Sequence, residues 1–497
     1  MSVDTNNAEF QDALNLIQYT RQSVFLTGKA GTGKSTFLRY VCEHTKKKHV
    51  VLAPTGIAAI NAGGSTMHSF FKLPFYPLLP DDPNLSLQRG RIHEFFKYTK
   101  PHRKLLEQIE LVIIDEISMV RADIIDAIDR ILRVYSHNLR EPFGGKQLLL
   151  VGDVFQLEPV VKNDERDILN RFYPTPYFFS ARVFGQIDLV SIELQKVYRQ
   201  TDPVFVSVLD HIRTNTAGAA DLQLLNTRYG SQIEESEADM YITLATRRDT
   251  VDSINEKKLA ELPGDSITFE GVIEGDSPES SLPTSQELVL KPGAQIIFIK
   301  NDFDRRWVNG TIGVIAGIDE EEETIYVITD DGKECDVKLE SWRNIRYHYN
   351  EKTKEIEEEV LGSFTQYPIR LAWAITVHKS QGLTFSRVVI DFTGGVFAGG
   401  QAYVALSRCT SLDGIQLKKP INRADVFVRP EIVNFAGRFN NRQAIDKALK
   451  QAQADVQYAA ASRAFDKGDM EECLEQFFRA IHSRYDIEKP VPRRLIR

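Results

Sequence analysis

The chain reads VFLTGKAGTGKSTFLRY from Val24 to Tyr40. Its centre fits the phosphate-binding P-loop pattern in full, because fixed glycines and a Lys-Ser pair stand between an apolar strand and a helix-forming run. Glycines let consecutive backbone N–H groups turn inward around a phosphate, and the start of the next helix adds its positive dipole end. The stretch therefore predicts an α/β fold with a site for a nucleoside triphosphate.

Each residue type in this motif has an expected task. Lys34 is predicted to reach the β- and γ-phosphates, and Ser35 is predicted to hold Mg²⁺. The other predicted nucleotide contacts are Gly28, Gly31, Thr32, Gly33 and Thr36. The alternative is a glycine-rich turn without a ligand, and the acidic strand end described next weighs against it.

A second apolar run, Leu111–Ile114, ends in Asp115 and Glu116. A buried parallel strand that stops at a nucleotide site has this pattern. Asp115 is predicted to complete the Mg²⁺ shell, and Glu116 is predicted to be the general base that polarises the attacking water. The alternative is a strand that ends by chance in acidic turn residues.

Length and composition set the broad class. A chain of 497 residues exceeds one ordinary core and predicts about three or four domains. No apolar run reaches the roughly 20 residues of a membrane span, and no secretory leader is visible, so we expect an intracellular protein without a membrane partner. Four widely separated cysteines predict neither a zinc site nor a disulfide framework. The net charge of −8 describes the whole surface and does not exclude a nucleic-acid groove.

The pattern of helix-like and apolar stretches divides the chain into three regions. Residues 1–185 alternate helix-like and short apolar stretches, which predicts a first parallel-sheet domain with a loop-rich insertion at about 73–104. Residues 186–430 repeat this alternation around a β-rich insertion at about 285–362, where Asn-Gly and Asp-Gly pairs predict the turns of a small barrel. Residues 431–497 are predicted to be helical. They resemble one tetratricopeptide-like helix pair, and an isolated amphipathic pair is the equal alternative.

Three polar positions far apart in the sequence suit a γ-phosphate. Gln156 stands four residues after Gly152, behind the predicted strand Leu148–Val151. Arg199 and Arg408 each lie in a segment that a site between two domains would need. A planar guanidinium spreads positive charge over the oxygens that become negative during phosphoryl transfer. Either arginine alone would more often form a structural ion pair.

A further segment, ITVHKSQGLTF from Ile375 to Phe385, completes an ordered set of motifs. Over roughly residues 5–425 the chain resembles the Pif-type DNA helicases, in the RecD-like branch of helicase superfamily 1. The most distinctive matches are Leu52–Ala59, Thr66–Phe71 and Asp115–Val120. The resemblance implies two RecA-like domains, with a wedge-bearing insertion in the first and an SH3-like barrel in the second. One departure is Ile125, where the family often has an aromatic residue.

The resemblance also implies where the ligands lie. ATP and Mg²⁺ would occupy the cleft between the two domains, with Gly382 on the wall opposite the P-loop and Gln11 reading the adenine. The expected catalytic set is Lys34, Asp115, Glu116, Gln156, Arg199 and Arg408. The implied DNA contacts are Pro54, Thr55, Gly56, His68 and Phe155 on the first domain and Thr376, His378 and Lys379 on the second. The alternative, even within this fold, is that His68 and His378 are buried structural histidines and that Phe155 belongs to the core.

The expected function is an ATP-dependent helicase that moves 5′-to-3′ on single-stranded DNA and unwinds forked or tailed duplexes, G-quadruplexes or RNA–DNA hybrids. The resemblance implies a role in genome maintenance, and a bacterial source would place the protein in the cytoplasm at the nucleoid. We expect a monomer in isolation, with a protein partner at the C-terminal helices. Three alternatives stay open: an RNA-directed helicase, a translocase subunit of a nuclease complex, and a nucleotide-gated binding protein that never unwinds.

Overall fold

A computed structural model describes residues 4, 6–87, 91–200, 202–230, 240–276, 282–350, 352–353 and 355–483. Within these ranges the helices are α1 Ala8–Tyr19, α2 Lys34–His44, α3 Gly56–Ala62, α4 Met67–Phe71, α5 Arg91–Phe96, α6 Lys100–Gln108, α7 Ala122–Tyr135, α8 Asn163–Leu169, α9 Pro203–Arg213, α10 Ala219–Asn226, α11 Arg248–Glu261, α12 Gln401–Leu406, α13 Pro430–Ala436, α14 Arg442–Asp466 and α15 Met470–Ser483. None of the helices described is long and apolar enough to cross a bilayer.

The strands in the same ranges are β1 Val24–Gly28, β2 His49–Ala53, β3 Ser65–Thr66, β4 Leu111–Ile114, β5 Gln147–Val151, β6 Val190–Leu194, β7 Ile242–Ala245, β8 Ile267–Glu270, β9 Val272–Gly275, β10 Glu287–Leu290, β11 Gln295–Phe298, β12 Ile312–Asp319, β13 Thr324–Thr329, β14 Glu334–Val337, β15 Glu340–Asn350, β16 Glu355–Gln366, β17 Ile369–Leu371, β18 Ala374–Thr376, β19 Val388–Asp391 and β20 Ile415–Leu417. They form two separate parallel sheets and antiparallel sheets inserted in the second half of the chain. The predicted α/β class is thus confirmed.

The first parallel sheet has the strand order β3-β2-β4-β5-β1-β6. Its central strands are mainly apolar because both faces are covered: Phe25 of β1 packs into the core on one face, while Val24 and Leu26 pack into the core on the other. β6 pairs with β1 along its whole length. The first sheet therefore extends to Leu194, beyond the expected domain boundary at residue 185.

The second parallel sheet has the order β18-β7-β19-β20. Helices α9 and α12 contact each other and pack into its core. Ala30 and Leu157 from the first half of the chain also belong to this core. The two parallel-sheet units are thus joined by apolar packing as well as by the chain.

The β-rich region between β7 and β18 contains three antiparallel sheets. Their orders are β14-β13-β12-β11-β17, β15-β16-β9 and β10-β8. These strands run from Ile267 to Leu371, so the antiparallel part begins before the expected limit at residue 285. Gly310 and Gly332, with φ of 100° and 78°, turn the chain before β12 and between β13 and β14, as the Asn-Gly and Asp-Gly pairs predict.

The proline-rich segment at 73–104 packs onto the first sheet. Its side chains Leu78, Leu85, Phe96 and Tyr98 are buried in the same core as Phe25. Arg130 of α7 donates to the carbonyl oxygens of Pro80 and Leu85 at 2.6 and 3.3 Å, which fixes the loop. Residues 88–90 of this insertion lie outside the described residues.

After β20 the chain returns to the first sheet. Phe435 of α13 stacks on Phe179 with ring centroids 4.3 Å apart and also contacts Phe25. Ile445 of α14 is buried in the first-sheet core. α14 and α15 form a helical hairpin, and the expected helical region beyond Ser483 lies outside the described residues.

Candidate active site and nucleic-acid interface

The P-loop joins β1 to α2, and its shape depends on glycine. Gly28, Gly31 and Gly33 have φ of 153°, 80° and 90°, in the region that side chains disfavour. A β-carbon at Gly28 would lie 2.5 Å from Thr32 Oγ1, and one at Gly31 would collide with Arg199. The loop is therefore a tight cradle that fits a phosphate group.

Lys34 begins α2, and its ammonium donates to the carbonyl oxygens of Gly28 and Lys29 at 2.7 and 3.0 Å. Burial lowers the pKa of Lys34, while the carboxylates of Asp153 and Glu116 act in the opposite direction. An ammonium held by loop carbonyls sits where a bound phosphate would offer a stronger, charged acceptor. The position of Lys34 fits its predicted role.

Asp115 and Glu116 follow β4 at its carboxyl end. Burial raises the pKa of Asp115, and burial together with the Asp115 charge raises the pKa of Glu116. Glu116 also has left-handed backbone angles, φ 49° and ψ 42°, which are uncommon for a residue with a side chain. A carboxylate with a raised pKa is a better proton acceptor, as a general base requires.

The Mg²⁺ site would combine protein and phosphate oxygens. Ser35 and Thr36 are exposed in the first turn of α2, and Asp115 closes the neighbouring strand. No cluster of three or more metal-ligating side chains was found among the described residues. Ser35 and Asp115 would supply two oxygen ligands to a magnesium ion that takes its other ligands from a triphosphate and water.

Gln156 lies in the loop Gly152–Glu158 that follows β5. Its side chain is 7% exposed, and its Oε1 accepts from Gln381 Nε2 at 3.5 Å. Gln381 comes directly before Gly382, which has φ of 77°. The amide thus lies at the junction between the two parallel-sheet units, where a γ-phosphate sensor is expected.

Arg199 and Arg408 converge from different segments. Arg199 donates to the carbonyl oxygens of Ser407 and Gly382 at 3.3 and 3.5 Å. Arg408 is 2% exposed and donates to three carbonyl oxygens, those of Val404, Ser380 and Leu383. Burial and the neighbouring Arg199 lower the pKa of Arg408 to about 9.

Neither of these arginines forms an ion pair with a carboxylate within the residues that the structure describes. Glu116 and Asp153 act on Arg408 through space, but no carboxylate is bonded directly to either guanidinium in the described chain. Lys34 lies close enough to Glu116 and Arg199, and Glu116 to Arg408, for their charges to interact, although residues 34 and 408 are far apart in sequence.

The expected adenine contact, Gln11, lies in the first turn of α1. This helix packs on α2, where the rings of Phe10 and Phe37 meet edge to face with centroids 4.9 Å apart. Gln11 is therefore held near the P-loop helix. Sequence reasoning missed Tyr198, whose backbone N–H donates to Gly31 O at 2.8 Å and whose ring lies beside Gly33.

Two contacts to the P-loop from the second unit were also missed. The Tyr403 hydroxyl accepts from the Ala30 N–H at 2.9 Å, and Lys29 pairs with Asp210 of α9 at 3.0 Å. Tyr403 lies in the same predicted segment as Arg408 and is buried in the structure. An aromatic residue in that segment was the signal that could have identified it as part of the site. No local pattern reveals a hydrogen bond between residues 373 positions apart.

The expected DNA contacts of the first domain lie after β2 and at α4. The Thr55 hydroxyl accepts from the Ala58 N–H at 3.2 Å and caps α3, next to the half-buried Pro54 and Gly56. The His68 ring stacks on Phe75 with centroids 5.0 Å apart. Gly56 and His68 line one cavity of about 370 Å³.

The contacts expected from the second domain lie after β18. Thr376 Oγ1 accepts from the Lys379 N–H at 3.3 Å, and burial lowers the pKa of the half-buried His378. Thr376 and Lys379 line a second cavity of about 880 Å³. Leu282 lines both cavities, so they adjoin and form one groove.

The groove contains a cation that sequence reasoning missed. Arg370 of β17 lines it beside Lys379, and burial lowers the pKa of Arg370 to about 10. Phe155, in contrast, is 4% exposed and lies beneath the Arg213 guanidinium, 4.4 Å from its ring centroid. The expected contact of Phe155 with DNA is therefore not available in this conformation, because its ring is covered by that arginine.

Residues 5–215 match the family model described as PIF1-like helicase. The ATP-dependent DNA helicase Pif1 of Campylobacter jejuni is 34% identical over 412 residues, which are 80% of this chain and 88% of the relative.

Two solved structures are similar to this chain over most of its length. The structure of Bacteroides sp Pif1 in complex with ADP-AlF4 is similar with a TM-score of 0.79 and 41% identity, over 86% of this chain and 96% of that chain. Bacteroides Pif1 bound to ssDNA is similar with a TM-score of 0.63 and 40% identity, over 89% of this chain and 99% of that chain. With its two parallel-sheet units, its P-loop and this similarity over most of its length, the chain belongs to the PIF1-like helicase family.

Proposed function

We propose that this chain is an ATP-dependent DNA helicase. The observation that carries the proposal is the domain junction where Lys34 of the P-loop lies near the half-buried Arg199, and Arg199 lies near the buried Arg408; neither arginine forms an ion pair with a carboxylate in the described chain. A site with this excess of positive charge suits a triphosphate that bridges two domains. The relatives named as DNA helicases support the same activity.

In the proposed reaction, each side chain acts on the triphosphate or the attacking water. Lys34 binds the β- and γ-phosphates, Ser35 and Asp115 hold Mg²⁺, and Glu116 accepts the proton from water. Arg199 and Arg408 stabilise the negative charge that grows on the γ-phosphate oxygens. Mg²⁺, when bound, draws charge from the phosphate oxygens and orients them.

Movement would follow from the state of the cleft. The γ-phosphate attracts both arginines toward the P-loop, and its hydrolysis and release remove that attraction. The groove residues of the two domains, His68 on one side and Lys379 on the other, would then shift relative to each other. Alternating grip on the DNA backbone converts this change into a step.

The finer properties are proposals as well. We propose 5′-to-3′ movement on single-stranded DNA, action on forked or tailed duplexes, G-quadruplexes or RNA–DNA hybrids, and a role in replication, recombination, repair and telomere maintenance. The chain would act as a monomer inside the cell, at the nucleoid if bacterial, with a protein partner at the C-terminal helices. The expected domain limits were 1–185, 186–430 and 431–497; we place the first limit at Leu194 instead, because β6 pairs with β1 of the first sheet.

The deciding experiment is strand separation with defined tails. Duplexes with only a 5′ or only a 3′ single-stranded tail, in DNA and in RNA, are incubated with ATP and the full chain, and Lys34→Ala is the control. Unwinding of 5′-tailed DNA alone supports the proposal. Activity on RNA alone favours the RNA-directed alternative, and activity on 3′ tails alone overturns the proposed 5′-to-3′ polarity. ATP turnover without strand separation favours a translocase subunit.

A further inference from the structure

Arg213 belongs to the second domain but bonds to the first. It is the last residue of α9, whose apolar side chains Phe205 and Ile212 are buried in the second-sheet core. Its Nε and Nη2 donate to the carboxylate of Asp153 at 3.1 Å, and its Nη1 pairs with Glu193 of β6 at 2.8 Å. One guanidinium thus joins two carboxylates across the domain junction.

Asp153 opens the loop that holds Gln156. The Asp153 carboxylate accepts from the Phe155 N–H at 3.1 Å, and its backbone carbonyl accepts from the Gln156 N–H at 2.9 Å. Since the Asp153 side chain is fully buried, its position is set by Arg213 and not by water. The position of Arg213 therefore determines the backbone that presents Gln156 to the cleft.

The second domain encloses the same loop from another side. Gly400, at the start of α12, approaches so closely that a β-carbon there would collide with the carbonyl oxygens of Phe155 and Gln156. Leu157 is buried in the second-sheet core. The second domain therefore packs around this loop of the first domain. Arg213 supplies the ion pair among these contacts.

The loop also reaches the groove segment. Gln156 accepts from Gln381, and Gln381 follows Thr376 and Lys379 in the stretch that lines the groove. A continuous set of contacts therefore connects Arg213, Asp153, Gln156 and the groove.

We propose that Arg213 is a positioning residue that couples DNA binding to ATP turnover by fixing the loop of Gln156. The inference rests on the proposed function. Arginine is needed because its planar fork holds both oxygens of Asp153 and one of Glu193 while its face covers the Phe155 ring. A lysine ammonium carries the same charge but cannot make these contacts together.

The test is the stimulation of ATP turnover by single-stranded DNA, measured with oligo-deoxythymidine on the full chain. Arg213→Lys should lower the ratio of stimulated to unstimulated turnover about tenfold, within the usual range of coupling between two sites. The KM for ATP should stay within about twofold of wild type, because Arg213 does not touch the phosphate cradle. A merely structural role would lower the melting temperature and leave the ratio unchanged.

Two further variants complete the design. Asp153→Asn keeps the shape of the partner and removes its charge, so it should reproduce the loss if Arg213→Lys does not fold. Arg228→Lys is the matched control, since Arg228 donates to carbonyls at Asp413 and Ile415 inside the second domain. The inference is overturned if the folded Arg213 or Asp153 variant keeps a ratio within about twofold of wild type. Absence of stimulation in the wild-type protein would instead overturn the proposed function together with the inference.

Discussion

At the scale of single residues, the surroundings of each arginine separate structural from reactive guanidinium groups. Arg133 pairs with Asp129 and donates to Gln186, and Arg213 lies between two carboxylates. Arg199 donates to carbonyl oxygens, and Arg408 donates to carbonyl oxygens and to the Ser407 hydroxyl at 3.0 Å. A guanidinium already neutralised by carboxylates gains little from a phosphate, whereas one held by dipoles keeps its full charge for it.

Substitution of Arg199 should therefore affect the rate more than the affinity. We expect Arg199→Ala to lower kcat for ATP about 10³-fold, because the side chain acts on charge that appears in the transition state. Steady-state turnover and binding of a fluorescent ADP analogue would separate the two effects. Arg479→Ala, which removes an exposed pair on α15, is the control. Loss of nucleotide binding with unchanged kcat would contradict the assigned role.

Two glycines with similar backbone angles give a second residue-level prediction. Gly31 and Gly264 have φ of 80° and 83°, but only at Gly31 would a β-carbon meet a neighbour, the Arg199 side chain. Gly264→Ala should cost about 1 kcal/mol of stability, from backbone strain alone. Gly31→Ala should in addition weaken ATP binding at least about tenfold because the cradle is displaced. Calorimetric titration with ADP would show equal affinities for the two variants if the cradle tolerates a methyl group.

His102 in α6 predicts a pH effect on stability. It is 7% exposed, packs against Phe70 and Tyr98, and burial lowers its pKa to about 4, aided by Lys72 and Arg346. The unfolded chain therefore binds more protons than the folded one between about pH 6.5 and pH 4, so stability falls as the pH falls through this window.

The variant His102→Phe removes this titrating imidazole, so its free energy of unfolding should depend less on pH. The difference from wild type should reach about 2 kcal/mol between pH 6.5 and pH 4. Urea unfolding at several pH values measures it, with His482→Phe on the exposed face of α15 as the control. Parallel pH curves for wild type and His102→Phe would show that burial does not hold this histidine neutral.

At the scale of elements, the strands that could be predicted from the sequence are those that are buried on both faces. The runs that became β1, β4 and β5 are apolar throughout because both sides of each strand are covered, and the sequence displays this directly. β3 has two residues, and β6 lies after the apparent end of the first region. Their pairing depends on partners distant in sequence, Leu52 and Ala53 for β3 and β1 for β6, so no local period identifies it.

The C-terminal helices give a matched pair of substitutions at this scale. Ile445 of α14 is 4% exposed in the first-sheet core, whereas Leu474 of α15 is 49% exposed. Ile445→Ala should destabilise the protein by about 2–4 kcal/mol, and Leu474→Ala by less than about 0.5 kcal/mol. Denaturant midpoints would test both. Equal midpoints would mean that α14 does not stabilise the first domain.

At the scale of the whole molecule, the motifs predicted which residues form the cleft but not how its walls are connected. The P-loop, the strand end at Asp115 and the arginines were identified from local patterns. The bond from Tyr403 to Ala30, the Lys29–Asp210 pair and the Arg213 contacts join segments that the sequence keeps apart. Such contacts arise from tertiary packing, to which single-sequence patterns are blind.

The cleft as a whole predicts a dependence on metal and nucleotide. Chelation of Mg²⁺ should abolish ATP turnover, because the ion that Ser35 and Asp115 would hold neutralises and orients the phosphate oxygens. ADP with Mg²⁺ at about 100 times its Kd should stabilise the wild-type protein by about 2.7 kcal/mol and leave Lys34→Ala unchanged. Thermal melts with and without chelator test this. Turnover that survives chelation would exclude the assigned roles of Ser35 and Asp115.

The path of the chain has a mechanical consequence. It crosses between the two parallel sheets first from β6 to α9 and again from β20 to α13, where Phe435 packs against Phe25 and Phe178. Two domains joined by one flexible linker can rotate in any direction. Two domains joined by linkers at two separate places can rotate only about the axis through both linkers. The free energy of each ATP cycle would thus drive rotation of the two domains about a single axis.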